Sequence, residues 1–209
     1  MALAFFGQDA NAQSKALPRN FDYGRVKKNI YTNKYFGLKI HIPEGWAVQN
    51  KAQTDYLAAQ GKEVVAGGNK EMQQALDAAD VTSAFLLTVF KHELGAAVDF
   101  NPGFLLVAEN TKYFPGIKTG EDYLFHARKL MDQTEMQIAF APEVMPIQID
   151  GLSFHKMSGT LTPPNTDIAV SQDYVSTVYK NFSLTLIFSY TNDEQKAALY
   201  QVLDNIDFK

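Results

Sequence analysis

The chain has 209 residues, 46% hydrophobic and 20% charged, with a formal net charge of -4; at that length one domain buries roughly 70% of its unfolded surface. The composition is that of a globular protein, and its mild acidity offers no basic field for counterion release, which argues against nucleic-acid binding. With no cysteine present, disulfides, thiolate metal sites and cysteine nucleophiles are excluded, and the longest apolar stretch, around Ala84 to Phe90, falls far short of the ~20 residues of a membrane-spanning helix.

At the N-terminus, Met1 to Phe6 followed by Ala10-Asn11-Ala12 resembles the tail of a secretory signal with a small-residue cleavage site before Gln13, although a basic leader is missing. Two readings stay open: a remnant of an export signal, or a disordered arm. In either case residues 1–28 carry no periodic apolar face, so an arm is expected there and a single domain over residues 29–209.

In the stretch Tyr31 to Trp46, Leu38, Ile40 and Ile42 alternate with Lys39 and His41, the period of a half-buried strand. Pro43-Glu44-Gly45 then makes a tight turn that delivers Trp46, the sole Trp, as an expected core anchor. Residues 53–79 are rich in helix formers, with Tyr56, Leu57, Val64, Met72 and Leu76 spaced for an apolar stripe; Gly61 and Gly67-Gly68-Asn69 are expected to divide them into two helices. Ala84 to Phe90 reads as a strand buried on both faces, with Phe85, Leu87 and Val89 opposing Leu86 and Phe90. A second such strand covers Phe104 to Ala108, and Thr119 to Asp122 can cap a helix presenting Tyr123, Ala127, Leu130 and Met131.

The C-terminal part predicts strands around Gln137–Phe140, Ile147–Ile149, Leu152–Leu161, Asp173–Tyr179 and Phe182–Tyr190, with Lys180-Asn181 as a hairpin turn. Thr191 to Glu194 reads as a capping box before a helix carrying Leu199, Val202, Leu203 and Ile206. Hairpins with helices before and after them imply an α+β fold: an antiparallel sheet, including the strands around Ile40, Leu87, Phe154, Val175 and Leu186, with helices on its faces.

Taken in order, Tyr31 to Trp46, the Ala-rich helix, the doubly buried strand, the helix at Thr119, the Gly151-Leu152-Ser153-Phe154 strand, the Tyr179 hairpin and the closing Ile206-Asp207-Phe208 resemble the PsbP/Mog-like superfamily. The resemblance spans residues 30–208 and implies an α/β/α sandwich around an antiparallel sheet. That superfamily includes the lumenal extrinsic subunit of photosystem II, a Ran-binding nuclear factor and many bacterial periplasmic proteins, and it implies binding or assembly work without catalysis. No segment here matches the partner-binding segments of the plant or nuclear members.

Four histidines, His41, His92, His126 and His155, invite a metal-site reading, but none stands at metal-ligand spacing from another. Gly151-Leu152-Ser153-Phe154-His155 begins like a nucleophile elbow, with His155 where the second Gly is required. Gly67-Gly68-Asn69-Lys70 lacks the phosphate-loop spacing, Asp193 and Glu194 suit a helix N-terminus, and the sequon Asn181-Phe182-Ser183 falls on a turn. Trp46, Tyr31, Tyr35, Tyr174 and Tyr179 could line an aromatic groove, against ordinary core packing.

The sequence thus leads to the expectation of a periplasmic or secreted, non-catalytic binding or assembly-accessory protein. Its partner would be another protein and the chain a monomer, with no cofactor, no nucleic acid and no membrane span. The alternatives are a small-molecule or metal carrier, or a hydrolase using Ser153 and a histidine.

Overall fold

The structure, a computed structural model, describes residues 16–209 apart from 135, 137, 164 and 165, with the backbone alone at residue 78. The export-signal reading of residues 1–13 lies outside the described residues.

An eight-stranded antiparallel sheet forms the centre. It contains β4 (Ala47–Val48), β5 (Ser83–Phe90), β6 (Gly103–Asn110), β7 (Ile138–Phe140), β8 (Met145–Ile149), β9 (Leu152–Leu161), β10 (Val170–Tyr179) and β11 (Phe182–Tyr190). Its order is β4-β5-β6-β11-β10-β9-β7, with β8 also paired to β9. A second, four-stranded sheet joins β1 (Arg25–Lys27), β2 (Ile30–Asn33), β3 (Leu38–His41) and β12 (Ile206–Phe208) in the order β1-β2-β3-β12. The expectation that the strand around Ile40 belongs with those of Leu87, Phe154, Val175 and Leu186 is therefore corrected. Ile40 pairs with Tyr31 on one side and Ile206 on the other, because the short hairpin and the C-terminus supply all its partners.

The two faces of the central sheet bury different layers. On one, Leu106, Leu184, Leu186 and Phe188 pack with Leu38 and Ile40 of the small sheet and with Leu199 of α4 (Asp193–Tyr200). On the other, Met157, Tyr174 and Ile187 pack with Val65 of α1 (Lys51–Ala66), Leu76 of α2 (Lys70–Ala79) and Leu124, Ala127 and Met131 of α3 (Gly120–Met131). The fold is α+β with antiparallel sheets, as the patterns predict.

Turn and cap chemistry explains the boundaries. Lys180 and Asn181 both have positive φ, 51° and 63°, as in a type I′ turn, and form the expected hairpin connection. Lys28 and Asn29 repeat it, at 51° and 56°, between β1 and β2. α1 ends on Gly67 in the left-handed region and α2 starts at Asn69, whose side chain accepts from the Glu71 and Met72 amides. Gly61 does not break α1, which runs through it. Thr119 and Asp122 form a reciprocal capping box, whereas the last helix is capped by Asn192, one residue later than expected, with the Gln195 side chain accepting from the Thr191 amide.

The expectation of an arm before Lys28 fails for its described part, residues 16–28. Phe21 is buried among Phe36, Phe182 and Tyr35, with ring centroids 5.3 to 5.9 Å apart. The Asp22 carboxylate accepts from the Gly24 and Lys34 amides, and the Leu17 amide donates to Val81 O at 3.1 Å. A lone aromatic and a strand exposed along its whole length, Arg25 to Lys27, leave no periodic signal for the eye to catch.

Candidate functional site

The residues singled out for chemistry are scattered. His41 ends β3 and His92 follows β5, both exposed; His126 lies on α3 and His155 on β9, both half-buried. Among the described residues no three His, Cys, Asp or Glu side chains gather closely enough to hold a metal. Ser153 is exposed, and its hydroxyl meets Gln148 Nε2 at 3.4 Å, not a histidine. His155 Nε2 lies 3.8 Å from a Glu121 oxygen while its Nδ1 has no hydrogen-bond partner among the described residues. A serine hydrolase needs the nucleophile hydrogen-bonded to its base, and that contact is not made here.

The aromatic groove does not assemble either. Tyr31 is buried on the small-sheet side of the fold and Tyr174 on the helix side, while Tyr179 packs edge-on against Phe208 at 5.7 Å. Trp46 is half-buried at the margin of the core, not the fully buried anchor expected. It follows a turn whose Glu44 and Gly45 are exposed, so one side of the ring stays toward solvent.

A different place collects unsatisfied chemistry. Helix α1 buries little of its length, only Thr54, Val65 and Ala66. Tyr56 and Val64, assigned to its apolar stripe by spacing, are 63% and 45% exposed. Beneath it a cleft of about 710 Å³ opens between α1, β5, the end of β4 and the segment Tyr23–Val26. The helix contributes Lys51, Thr54, Asp55, Ala58, Ala59 and Lys62, a stripe at helical spacing whose two alanines keep the space open.

Gln49, Ser83 and Thr88 line the cleft, each more than nine-tenths buried; Gln49 Nε2 donates to Ala47 O at 3.1 Å, but Gln49 Oε1, Ser83 Oγ and Thr88 Oγ1 have no hydrogen-bond partner among the described residues. Leaving such a group unsatisfied costs on the order of 1–3 kcal/mol, and in native structures each instance calls for an explanation. Thr88 reaches the cleft through a β-bulge. Phe85 faces Val107 and Leu87 faces Leu106, so one extra residue intervenes in β5. The alternation expected from sequence, with Phe85, Leu87 and Val89 on one face, is thereby broken. Ala84, Leu87 and Val89 oppose Ala108, Leu106 and Phe104, whereas Ser83, Phe85 and Thr88 oppose Glu109, Val107 and Leu105 and share the helix-bearing face. Bulges recur where a strand must re-aim a side chain beside a functional site.

Charges frame the opening. Lys62 Nζ sits 2.5 Å from Asp80 and 3.3 Å from Asp77, joining α1 to α2. Burial alone would lower the ammonium's pKa, but the two carboxylates hold it above the ordinary value. Lys51, also in the lining, pairs with Asp55 at 2.5 Å, and both side chains are exposed. Arg25, exposed on β1, makes no ion pair among the described residues. Sequence reasoning missed this site; its one local signal was the pair of hydroxyl residues, Ser83 and Thr88, inside an otherwise apolar strand.

No protein-family model matches the chain, and no curated protein matches it. Among solved structures it is similar to the solution structure of the cyanobacterial PsbP, CyanoP, from Synechocystis sp. PCC 6803. The TM-score is 0.52 at 12% identity, covering 89% of this chain and 96% of that one. At that identity the likeness speaks for the fold alone: the chain has a PsbP-like fold.

Proposed function

We propose that this protein is a non-catalytic binding or assembly-accessory protein that works in the periplasm or as a secreted protein and recognises another protein through the cleft under α1. The single observation that carries the reading is the set of three buried polar atoms with no hydrogen-bond partner among the described residues, Gln49 Oε1, Ser83 Oγ and Thr88 Oγ1, around one cleft. Such groups are stabilised when a ligand supplies the missing hydrogen bonds. The PsbP-like fold supports an accessory role, and the Ala10-Asn11-Ala12 segment supports export.

The cleft volume also falls within the roughly 300–1,000 Å³ of small-ligand sites, which keeps a small-molecule carrier as the second reading.

A photo-crosslinking amino acid in place of Ala59, inside the cleft, tests the proposal in the cells that make the protein. Expected is a covalent adduct with a second polypeptide from position 59 and none from the same residue placed at Phe125, on the exposed side of α3. Adducts from position 125 alone, or none from position 59, contradict the protein-binding reading.

A further inference from the structure

We propose that the occupant of the cleft is an extended peptide segment carrying a carboxylate, which adds as a strand to the open edge of β5. The inference rests on the binding reading above and names what is bound.

Strand β4 covers only the end of β5: Ala47 pairs with Phe90 and Val48 with Val89, and the Gln49 amide donates to Thr88 O at 2.9 Å. From Ser83 to Leu87 no strand lies across that edge among the described residues. An uncovered edge presents backbone N–H and C=O groups in a row, and proteins ordinarily guard it with charge, proline, shortness or a covering element. Residues Ser83 to Leu87 contain neither charge nor proline. Helix α1 stands over them but leaves the cleft open. The end strand of the small sheet, β1, contributes Arg25 and Val26 to the same cleft and is guarded by its own charges, Arg25 and Lys27.

The side chains favour a peptide over other ligands. Strand addition supplies main-chain hydrogen bonds, with specificity from pockets for alternate side chains. Gln49 Oε1 requires a donor, while the Ser83 and Thr88 hydroxyls can donate or accept; a peptide backbone brings both kinds of group along one line. The electrostatics then select its charge. Two cation–anion pairs, Lys62 with Asp80 and Lys51 with Asp55, cancel within the lining. Arg25 is left over, a fork suited to a carboxylate.

The probe is a displayed library of short linear peptides of random sequence, selected on the intact protein and followed by synthesis of an enriched peptide. The expected winner alternates apolar residues and carries an Asp, a Glu or a free C-terminus. Its binding slows amide exchange at Ser83 and Phe85 beyond that of the free protein. N-methylation of alternate peptide amides weakens binding by about tenfold or more, a readout that leaves the protein unaltered. Arg25→Glu weakens the acidic peptide by a similar factor and spares its amide counterpart, with circular dichroism confirming the fold. Protection elsewhere than β5, indifference to N-methylation, or concentration-dependent pairing of two copies of this chain through β5 overturns strand addition by a foreign peptide. If the library yields no binder while crosslinking at position 59 still captures a protein, strand addition fails and the binding reading stands.

Discussion

The rings of Phe21 and Phe182 lie 5.3 Å apart and 32° from parallel, tying the segment ahead of the first strand to the start of β11. Phe21 also meets Phe36 edge-on at 5.9 Å, so the segment closes one end of the core. Phe21→Ala is expected to cost about 3 kcal/mol, the low end for emptying a buried phenylalanine site, and deletion of residues 16–28 more. Urea unfolding followed by circular dichroism measures both. An unchanged midpoint in either variant contradicts the docking.

Gly120 shows how closely α3 seats on the sheet. A Cβ there would lie 1.9 Å from Ser176 O, a backbone atom that cannot rotate away, whereas at Gly116 it would meet nothing within 4 Å. Gly120→Ala is expected to destabilise by about 3 kcal/mol, the upper range for forced overpacking. Gly116→Ala changes stability by less than about 0.5 kcal/mol. Equal midpoints for the two variants would remove the claim that close approach demands glycine at 120.

The buried tyrosines set an alkaline limit. Desolvation raises Tyr31, Tyr123, Tyr174, Tyr190 and Tyr200 above the ordinary 10.0, and the buried Asp173 carboxylate adds to the shift at Tyr190 and Tyr200, whose hydroxyls donate to it at 2.9 and 2.5 Å. Their folded-state values exceed the unfolded ones. The stability they contribute is therefore whole below pH 10 and is lost as pH rises beyond it. Tyrosinate absorbance is expected to rise in a late component that coincides with loss of circular dichroism. All ten tyrosines ionising together while the protein stays folded would contradict this burial.

Trp46→Ala is expected to cost about 2 kcal/mol, below the ~3–5 kcal/mol of a fully buried tryptophan, because the ring is only half covered. Chemical denaturation followed by circular dichroism measures it, and a loss at the full-burial level would place the ring inside the core.

Much of the fold is legible in the chain wherever local chemistry and tertiary need coincide. Lys180-Asn181 was legible as a hairpin because it is a short connection between two alternating runs and Asn tolerates positive φ, and Thr119 with Asp122 could satisfy one another only at a helix start. Where both faces of an element are apolar, alternation carries no register, so the extra residue between Phe85 and Leu87 was invisible. The small sheet was missed as a separate layer because Ile40 shows the same period whichever sheet it joins. The spacing of Tyr56 and Val64 promised a buried stripe, yet both are exposed and α1 stands away from the sheet. The cleft escapes sequence reading because Gln49, Ser83 and Thr88 come from two segments that only the β4–β5 pairing unites.

The most direct test of the account is calorimetric titration of the polypeptide captured through position 59 against the wild-type protein and its Ala59→Trp variant, which places a bulky indole at the cleft wall. The account predicts an affinity lower by about tenfold or more, with the unfolding midpoint unchanged because residue 59 is exposed. Equal affinity for the wild type and for a folded Ala59→Trp variant would contradict it and place recognition elsewhere on the surface.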